Sequence, residues 1–279
     1  MPNPIQVMIF DLDGTLYGDT VHFDYYAQEI CQRLPAALAP DFNRDYTAFW
    51  RGETALRIGW VYDREHDLVL RLEEDRVTRA QDWAQQEQPA DRVSRLYPGP
   101  VIIDKQRFIS LGDPWWIPAC IGFHYGLQRH DTQQAFLVTR EFMSGPDFFM
   151  AEVPGRTETF RALAERYQLV LATNSPEPDS RAIVDKLGLT PYFARMRFLS
   201  EKPMRSLELF RSVAEEFSAD YPAILSVGDN LVNEITPARK LGCRTLFIDP
   251  HRYGHPGQAD WIVSGVPEAL QVLRREFLG

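Results

Sequence analysis

Hydrophobic and polar residues follow a repeating order from Arg156 to the end of the 279-residue chain. An amphipathic stretch with helical spacing is followed by a short apolar run and a polar turn, and the order then recurs. The apolar runs are rich in Val, Ile, Leu and Phe and alternate little, which is typical of parallel strands covered on both faces. A similar run, Val7–Phe10, lies near the start of the chain. The pattern predicts an α/β fold with a doubly wound parallel sheet.

The boundaries of the predicted elements follow from these blocks. Strands are expected at Val7–Phe10, Leu169–Ala172, Met196–Leu199, Ala223–Val227, Thr245–Ile248 and, more weakly marked, Trp261–Val263. Helices are expected at Thr157–Tyr167, Asp179–Leu187, Pro203–Phe217, Asn233–Leu241 and Pro267–Phe277. Gly188 and Gly242 directly follow two of these helices, at the kind of position where helices commonly end.

The long stretch from Tyr17 to Pro154 breaks this order and separates the first predicted strand from the second. We therefore expect two domains: a catalytic core made of residues 1–16 and 155–279, and a mostly helical domain made of residues 17–154. Five of the six tryptophans lie in the second domain, which gives it enough bulky apolar surface for a small core of its own.

Three elements are predicted inside residues 17–154. Helices are expected over Phe23–Leu34 and over Asp63–Gln88, where acidic and basic residues recur at a spacing that favours ion pairs along a helix. A β-hairpin is expected over Val101–Leu111, where apolar residues flank the polar turn Asp104–Arg107.

The charge of the chain narrows the range of partners. Its 30 Lys and Arg stand against 39 Asp and Glu, for a net charge of −9. Phosphate backbones and anionic lipids repel such a chain, so we expect neither nucleic acid nor membrane as partner. The first residues predict a strand rather than a signal peptide, and no apolar run is long enough to cross a bilayer. Three cysteines without Cys-x-x-Cys spacing favour a cytoplasmic protein.

Four polar segments follow the ends of the first four predicted strands. The carboxyl ends of the strands in a doubly wound parallel sheet open onto one crevice, so we expect these segments to lie together. They are Asp11–Thr15, Thr173–Ser175, Glu201–Pro203, and Gly228–Asn230 followed by Asn233 and Glu234.

These segments bring several carboxylates into a small volume. Two like charges about 4 Å apart repel each other by roughly 4 kcal/mol at an effective dielectric constant near 20. Such crowding indicates a bound divalent cation, and ligands that are all oxygen atoms favour Mg²⁺ over zinc. The candidate metal-binding residues are Asp11, Asp13, Asp229 and Glu234.

Other groups in the same segments are suited to hold a phosphoryl group. The ammonium of Lys202, the hydroxyl of Thr173 and the backbone amides around Leu12 and Asn174 can all donate to its oxygens. We predict that Thr173 and Lys202 are catalytic and bind substrate, and that Asn174 binds substrate.

An aspartate can attack phosphorus without a base, because its ordinary pKa of about 3.9 leaves it ionised near neutral pH. Its negative charge is the handicap, which a metal ion and an ammonium group must offset. We assign Asp11 as the nucleophile, which forms an aspartyl-phosphate. Asp13 is assigned as the acid that protonates the leaving alkoxide and then activates the hydrolytic water.

The four segments resemble the four motifs of the haloacid dehalogenase superfamily. The quoted residues are Asp11-Leu12-Asp13-Gly14-Thr15-Leu16, Thr173-Asn174-Ser175, Lys202-Pro203, and Gly228-Asp229 with Glu234. The resemblance implies a Rossmann-like sheet ordered 3-2-1-4-5 and a mobile cap inserted between the first and second motifs. It also implies a Mg²⁺ ion held by Asp11, the backbone carbonyl of Asp13, and Asp229.

The resemblance further implies a phosphatase acting on small molecules. Members that transfer phosphoryl groups carry an acid two residues beyond the nucleophile, as Asp13 stands here, whereas halide-removing members lack it. The chain departs from the family where Glu234 replaces the more frequent Asp.

The leading prediction is a Mg²⁺-dependent phosphomonoester hydrolase of a small phosphorylated metabolite. Two alternatives stay open: a phosphomutase with the same core chemistry, and a regulatory or binding member with little turnover.

Overall fold

The computed structural model describes residues 4–279. The chain divides into two compact units. The core unit comprises the residues up to Asp19 together with Glu141–Gly279, and the insert unit comprises Thr20–Arg140.

The unit boundaries differ from the predicted ones, because residues 17–19 and 141–154 group with the core unit. Local contacts explain the difference. Both carboxylate oxygens of Asp19 accept hydrogen bonds from the backbone N–H of Ala151, at 3.0 and 3.2 Å. The ring of Tyr17 packs edge-on against that of Phe148. The two connecting segments are thus tied to each other inside the core unit.

The elements are numbered in chain order. The strands found in residues 4–279 are β1 (Val7–Phe10), β2 (Val61–Asp63), β3 (Leu68–Glu73), β4 (Arg76–Gln81), β5 (Phe108–Ser110), β6 (Gln168–Ala172), β7 (Arg195–Arg197), β8 (Ile224–Gly228), β9 (Arg244–Ile248) and β10 (Trp261–Val263). The α-helices in the same residues are α1 (Val21–Cys31), α2 (Ala39–Trp50), α3 (Ala90–Leu96), α4 (Trp116–His124), α5 (Arg129–Ser144), α6 (Arg156–Ala164), α7 (Glu177–Lys186), α8 (Ser206–Glu216), α9 (Thr236–Leu241) and α10 (Val266–Phe277).

The sheet of the core unit has the order β7-β6-β1-β8-β9-β10, and every neighbouring pair is parallel. Counted along the chain within this sheet, the order is 3-2-1-4-5 with a sixth strand at the edge, which confirms the predicted fold class. All four residues of β1 are buried, as expected for a central strand covered on both faces. The predicted helices of this unit are present with ends shifted by a few residues.

One helix of the core unit begins later than predicted. After β8, Leu231–Ile235 forms a π-helical turn, and α9 follows it from Thr236. The side chain of Asn230 caps this turn, because its Oδ1 accepts hydrogen bonds from the backbone N–H groups of Val232 and Asn233. In this wide turn the side chain of Glu234 lies close over Gly228.

The insert unit combines helices with a four-stranded antiparallel sheet of order β4-β3-β2-β5. Its hydrophobic core includes Ile30, Phe42 and Ile117, each fully buried, from three different helices. Four of the tryptophans are partly buried against this core: Trp60, Trp83, Trp115 and Trp116.

The predicted helix over Asp63–Gln88 is wrong, since this stretch forms β3 and β4 and the end of β2. Leu68–Leu70 are consecutive buried residues, which suits a strand packed on both sides. The turn between β3 and β4 is formed by Glu74 and Asp75, whose φ angles are 49° and 65°. Hairpin turns of this kind usually carry Asn or Gly, so the charged pair concealed the turn in the sequence.

The predicted hairpin over Val101–Leu111 is also wrong. The turn itself forms, because Oδ1 of Asp104 accepts hydrogen bonds from the N–H groups of Gln106 and Arg107. Residues 101–103 do not form a strand, and β5 pairs with β2 instead.

No helix among residues 4–279 is both long enough and apolar enough to cross a membrane.

Candidate active site

The register of the core sheet determines where the site lies. β1 is flanked by β6 and β8, and Phe10 pairs with Leu171 on one side and Val227 on the other. The backbone N–H of Asp11 donates to the carbonyl of Val227 at 3.0 Å, so Asp11 is still held by β8 directly after the last residue of β1. The segments that follow β6 and β8 leave the sheet at the same edge.

The residues that follow these strand ends form a cluster around Lys202, which contacts Asp11, Glu234 and Ala172. Its side chain is only 2% exposed, and its Nζ lies 2.7 Å from Oδ1 of Asp11 and 2.7 Å from Oε1 of Glu234. The ammonium also donates to the carbonyl oxygen of Ala172 at 2.6 Å. Burial by itself lowers the pKa of Lys202, but the carboxylates of Asp11 and Glu234 raise that pKa above its ordinary value. Lys202 is therefore an ammonium at neutral pH.

The surroundings of Asp11 disfavour the ionised form of its carboxyl group. Its burial raises the pKa of Asp11 above the ordinary value, and the nearby charge of Asp13 raises it further. The ammonium of Lys202 acts against both effects. The ammonium of Lys202 therefore favours the ionised form of Asp11.

Asn174 positions Lys202 rather than pointing its own side chain outward. Its Nδ2 donates to the backbone carbonyl of Lys202 at 3.0 Å, and its Oδ1 accepts from the backbone N–H of Lys202 at 2.7 Å. The side-chain amide is therefore committed to the Lys202 backbone. The group of Asn174 that can still bind substrate as predicted is therefore its backbone amide.

Thr173 directly follows β6 and is almost fully buried. Its Oγ1 accepts a hydrogen bond from the backbone N–H of Ser175 at 3.1 Å. A hydroxyl that accepts in this way still has its proton to donate. The turn thereby fixes the Thr173 hydroxyl at the strand end.

Two hydroxyl groups hold the carboxyl of Asp13. Tyr17 donates to Oδ1, and Ser175 donates to Oδ2 at 3.1 Å. Neither residue is assigned a role by the sequence pattern. Ser175 lies in the motif with Thr173, but Tyr17 sits in a stretch whose hydrophobic pattern gives no sign of this contact.

Asp229 lies against the turn that follows β1. Gly14 has a φ of 76°, and a Cβ atom there would overlap the carboxylate of Asp229. Glycine is therefore required both for the backbone conformation and for this close approach. The structure brings Asp229 next to the Asp11–Gly14 turn, as expected from the order of the strands.

Glu234 faces the lysine. One carboxylate oxygen pairs with Lys202, and the other accepts from the backbone N–H of Asn230 at 3.1 Å. The π-helical turn folds Glu234 back over Gly228, where any Cβ would collide with the Glu234 side chain. The two oxygens of Glu234 thus serve the lysine and the turn.

A second group of potential ligand atoms lies in the insert unit. Asp63, Glu65 and His66 offer ligand atoms within 4.8 Å of one another. Arg107 lies among them, with contacts to Asp63 at 3.1 Å and to Glu65 at 2.6 Å. The hydroxyl of Tyr97 also donates to Asp63 at 2.7 Å. Because a guanidinium already neutralises these carboxylates, the group is better explained as a structural ion-pair network than as a metal site.

The strand order and the residues at the strand ends are those expected of a haloacid dehalogenase-like hydrolase. A family model with that description matches residues 5–242. The chain therefore belongs to the haloacid dehalogenase-like hydrolase family, which confirms the resemblance seen in its motifs and the hydrolase class.

One curated relative is the glyceraldehyde 3-phosphate phosphatase of Pyrococcus furiosus, which is 23% identical over 136 residues. The match covers 46% of this chain and 57% of that protein, so it spans little more than half the length of the relative.

Solved structures of similar fold match nearly the whole chain. A hydrolase of this family from Bacillus subtilis, bound to magnesium, is similar with a TM-score of 0.52 and 16% identity, covering 98% of this chain and 100% of that one. A phosphatase of the family from Thermococcus onnurineus has a TM-score of 0.51 and 14% identity, covering 99% and 98% of the two chains. At these identities the likeness concerns the fold alone.

Proposed function

We propose that the protein is a Mg²⁺-dependent phosphomonoester hydrolase that acts on a small phosphorylated metabolite through an aspartyl-phosphate on Asp11. The observation that carries the proposal is the buried contact of 2.7 Å between Lys202 and Asp11 at the carboxyl edge of the sheet. It places an ammonium directly beside the proposed nucleophile, where the oxygens of an incoming phosphoryl group need neutralising. The phosphatase named among the relatives supports the reaction class.

The donor set fits a magnesium ion. Asp11, the backbone carbonyl of Asp13 and Asp229 are oxygen ligands of the kind that Mg²⁺ prefers. The close approach of Asp229 to Gly14 brings these groups to one turn. We assign the ion to these three residues. Glu234, predicted as a fourth metal-binding residue, is proposed instead to hold Lys202, since one of its oxygens lies 2.7 Å from the ammonium and the other accepts from the backbone N–H of Asn230.

When bound, the ion would neutralise phosphoryl oxygens and so lower the repulsion between substrate and nucleophile. Lys202 and the hydroxyl of Thr173 bind the same oxygens and orient the phosphoryl group, together with the backbone amide of Asn174. A carboxylate oxygen of Asp11 forms the new bond to phosphorus as the ester P–O bond breaks. Asp13 gives its proton to the departing alkoxide.

The second half of the reaction returns the enzyme to its starting state. Asp13, now ionised, takes a proton from a water molecule that attacks the phosphorus of the aspartyl-phosphate. The bond between phosphorus and Asp11 breaks, which releases inorganic phosphate and restores the Asp11 carboxylate. Asp13 regains the proton that it lost in the first step.

A panel of phosphate esters with Mg²⁺ tests the proposal, with release of inorganic phosphate as the readout. We include triose phosphates because of the activity named for the Pyrococcus relative. Hexose phosphates are included with product analysis, since an isomerised sugar phosphate would indicate a phosphomutase. Absence of turnover on the whole panel would contradict the proposal and favour a binding or regulatory protein.

A further inference from the structure

We propose that Tyr17 and Ser175 are positioning residues that hold the carboxyl group of Asp13 in the orientation needed to protonate the leaving alkoxide. The inference rests on the proposed function, because it takes Asp13 as the acid of that reaction. It adds two residues to the site and gives each of them a specific task.

The two hydroxyls hold opposite ends of the same carboxyl group. Tyr17 donates to Oδ1 of Asp13 and Ser175 donates to Oδ2. Rotation of a carboxyl group about its Cβ–Cγ bond is a soft motion with a broad energy profile. A single hydrogen bond leaves much of that rotation open, whereas bonds to both oxygens fix the plane of the group.

The residue Tyr17 is itself rigidly held. Its side chain is fully buried, and its ring lies edge-on to that of Phe148 with the centroids 6.2 Å apart. A parallel β-bridge also joins the backbones of Asp13 and Tyr17. The distance between the Asp13 carboxyl and the phenol is therefore set by the main chain as well as by the side chains.

Ser175 is fixed through its backbone. Its N–H donates to Oγ1 of Thr173, and its carbonyl accepts from the N–H of Leu199 at 3.2 Å. Only 4% of Ser175 is exposed. This hydroxyl thus links the orientation of Asp13 to the segment that carries Thr173.

The two hydrogen bonds leave Asp13 able to transfer a proton. Each oxygen of a carboxyl group has two lone-pair positions, so each can accept one hydrogen bond and still present another direction to the substrate. A proton donor must also lie in line with the leaving oxygen, and small misplacements cost much of its catalytic effect. The function of the two hydroxyls is therefore expected in orientation rather than in substrate contact.

The test compares leaving groups that need a proton with ones that do not. We measure kcat/KM for a series of aryl and alkyl phosphates with wild type, Tyr17→Phe and Ser175→Ala. Because kcat/KM covers the steps up to departure of the leaving group, it reports the protonation directly. We expect each variant to lose about tenfold on alkyl phosphates and about twofold or less on a phosphate with a nitrophenol leaving group. The plot of log kcat/KM against leaving-group pKa becomes steeper.

Tyr167→Phe is the matched control. Its hydroxyl donates to the backbone carbonyl of Phe277 at 2.8 Å in the same unit, outside the cluster at the strand ends. We expect this variant to keep the wild-type slope. The control therefore separates loss of a hydrogen-bonded tyrosine hydroxyl in general from loss of the one on Asp13.

Equal losses on all leaving groups, or an unchanged slope, would overturn the inference and leave Tyr17 and Ser175 with a structural role. If Tyr17→Phe does not fold, the slope measured for Ser175→Ala decides in the same way. A wild-type enzyme that hydrolyses no phosphate ester would instead refute the proposed function, and the inference would fall with it. The two failures are thus distinguishable from the wild-type data alone.

Discussion

Asp11 in the core unit and Asp63 in the insert unit are carboxyl groups that lie beside a cation with little solvent exposure, yet their surroundings shift their pKa values in opposite directions. Burial tends to raise the pKa of Asp63, but hydrogen bonds from Arg107, Tyr97 and His66 lower it below the ordinary value. For Asp11, burial prevails over the ammonium of Lys202 and the pKa is raised.

The contrast depends on how the available donors are shared. Both oxygens of Asp63 accept hydrogen bonds, from Arg107 at 3.2 and 3.1 Å and from Tyr97 at 2.7 Å. Lys202 divides its single charge between Asp11 and Glu234. A carboxylate whose oxygens are all hydrogen-bonded stabilises the fold. A carboxylate that shares its cation with a second carboxylate is still suited to bind a further cation or to attack an electrophilic group.

Substitution of the two aspartates gives the largest expected contrast. We expect Asp11→Asn to lower kcat by several orders of magnitude, because no carboxylate is left to attack phosphorus. Asp63→Asn is the matched variant and should keep kcat within a few-fold of wild type. Phosphate release, with circular dichroism to verify folding, measures both. Near wild-type turnover by Asp11→Asn would remove it as the nucleophile.

Removal of divalent metal tests whether the ion acts at the core site. We expect a chelator to stop turnover and added Mg²⁺ to restore it, since Asp11 and Asp229 are the proposed ligands of the ion. Asp63→Asn should show the same Mg²⁺ dependence as wild type, whereas Asp229→Asn should need far more Mg²⁺. A changed Mg²⁺ dependence in Asp63→Asn alone would place the functional ion in the insert unit.

Replacement of Lys202 affects stability as well as turnover. Lys202→Met leaves the carboxylates of Asp11 and Glu234 buried without their cation, and loss of one partner of a buried ion pair typically costs about 3–5 kcal/mol. Urea denaturation measures the free energy of unfolding. The solvent-exposed pair Arg181 and Glu177 is the comparison, since Arg181→Met should cost less than about 1 kcal/mol. If both substitutions lowered the free energy of unfolding equally, the ion pairs of Lys202 would contribute no more to stability than a solvent-exposed pair.

The satisfied carboxylate of Asp63 contributes to stability without contributing to chemistry. We expect Asp63→Asn to lower the free energy of unfolding by about 1–3 kcal/mol, because hydrogen bonds from Arg107 and Tyr97 lose a charged acceptor. Asp11→Asn, in contrast, removes a carboxylate whose burial is unfavourable, and should leave stability unchanged or slightly raised. A strongly destabilised Asp11→Asn variant would contradict the comparison.

The pH dependence of these stabilities should differ in sign, with the smallest effect of the series. Because the pKa of Asp63 is lowered on folding, its contribution is present above its unfolded pKa of about 3.9 and is lost as the pH falls through the folded value. The stability difference between wild type and Asp63→Asn should therefore shrink below about pH 4.

For Asp11 the raised pKa reverses the sign. Its ionisation costs stability, so wild type should lose stability relative to Asp11→Asn as the pH rises from the unfolded pKa through the folded one. Melting curves over an acidic pH series measure both differences. Parallel pH profiles for the two variants would mean that the two carboxyl groups have the same environment.

The core unit was predictable because each of its first four strands is followed directly by a polar segment that carries candidate chemistry. Once the strand ends were located, the parallel order placed Asp11, Thr173 and Asp229 at one edge without knowledge of any side-chain geometry. The contact of Glu234 with Lys202 could not be predicted in this way. It depends on a π-helical turn that brings Glu234 back over Gly228.

The secondary structure of the insert unit was harder to predict, because the spacing of its charged residues is compatible with both a helix and a hairpin. Arg71, Arg76 and Arg79 alternate with acidic and apolar residues at spacings that suit a helix, yet they lie in a hairpin. What decides the structure is the buried face of β3 against the core of that unit, a tertiary contact that local spacing does not encode. The hydrogen bond from Tyr17 to Asp13 was missed for another reason: the two residues are only four positions apart, but the contact depends on the local turn conformation, which the hydrophobic pattern does not report.

Trapping the phosphorylated enzyme tests the role of Asp11 most directly. Wild type is mixed with substrate and Mg²⁺, quenched in acid within the first turnover, digested and analysed by mass spectrometry. We predict the mass of one added phosphoryl group on the peptide that contains Asp11, and its absence in Asp11→Asn treated in the same way. Steady turnover with no phosphorylated Asp11 peptide, or with the phosphoryl group on another residue, would contradict the central claim.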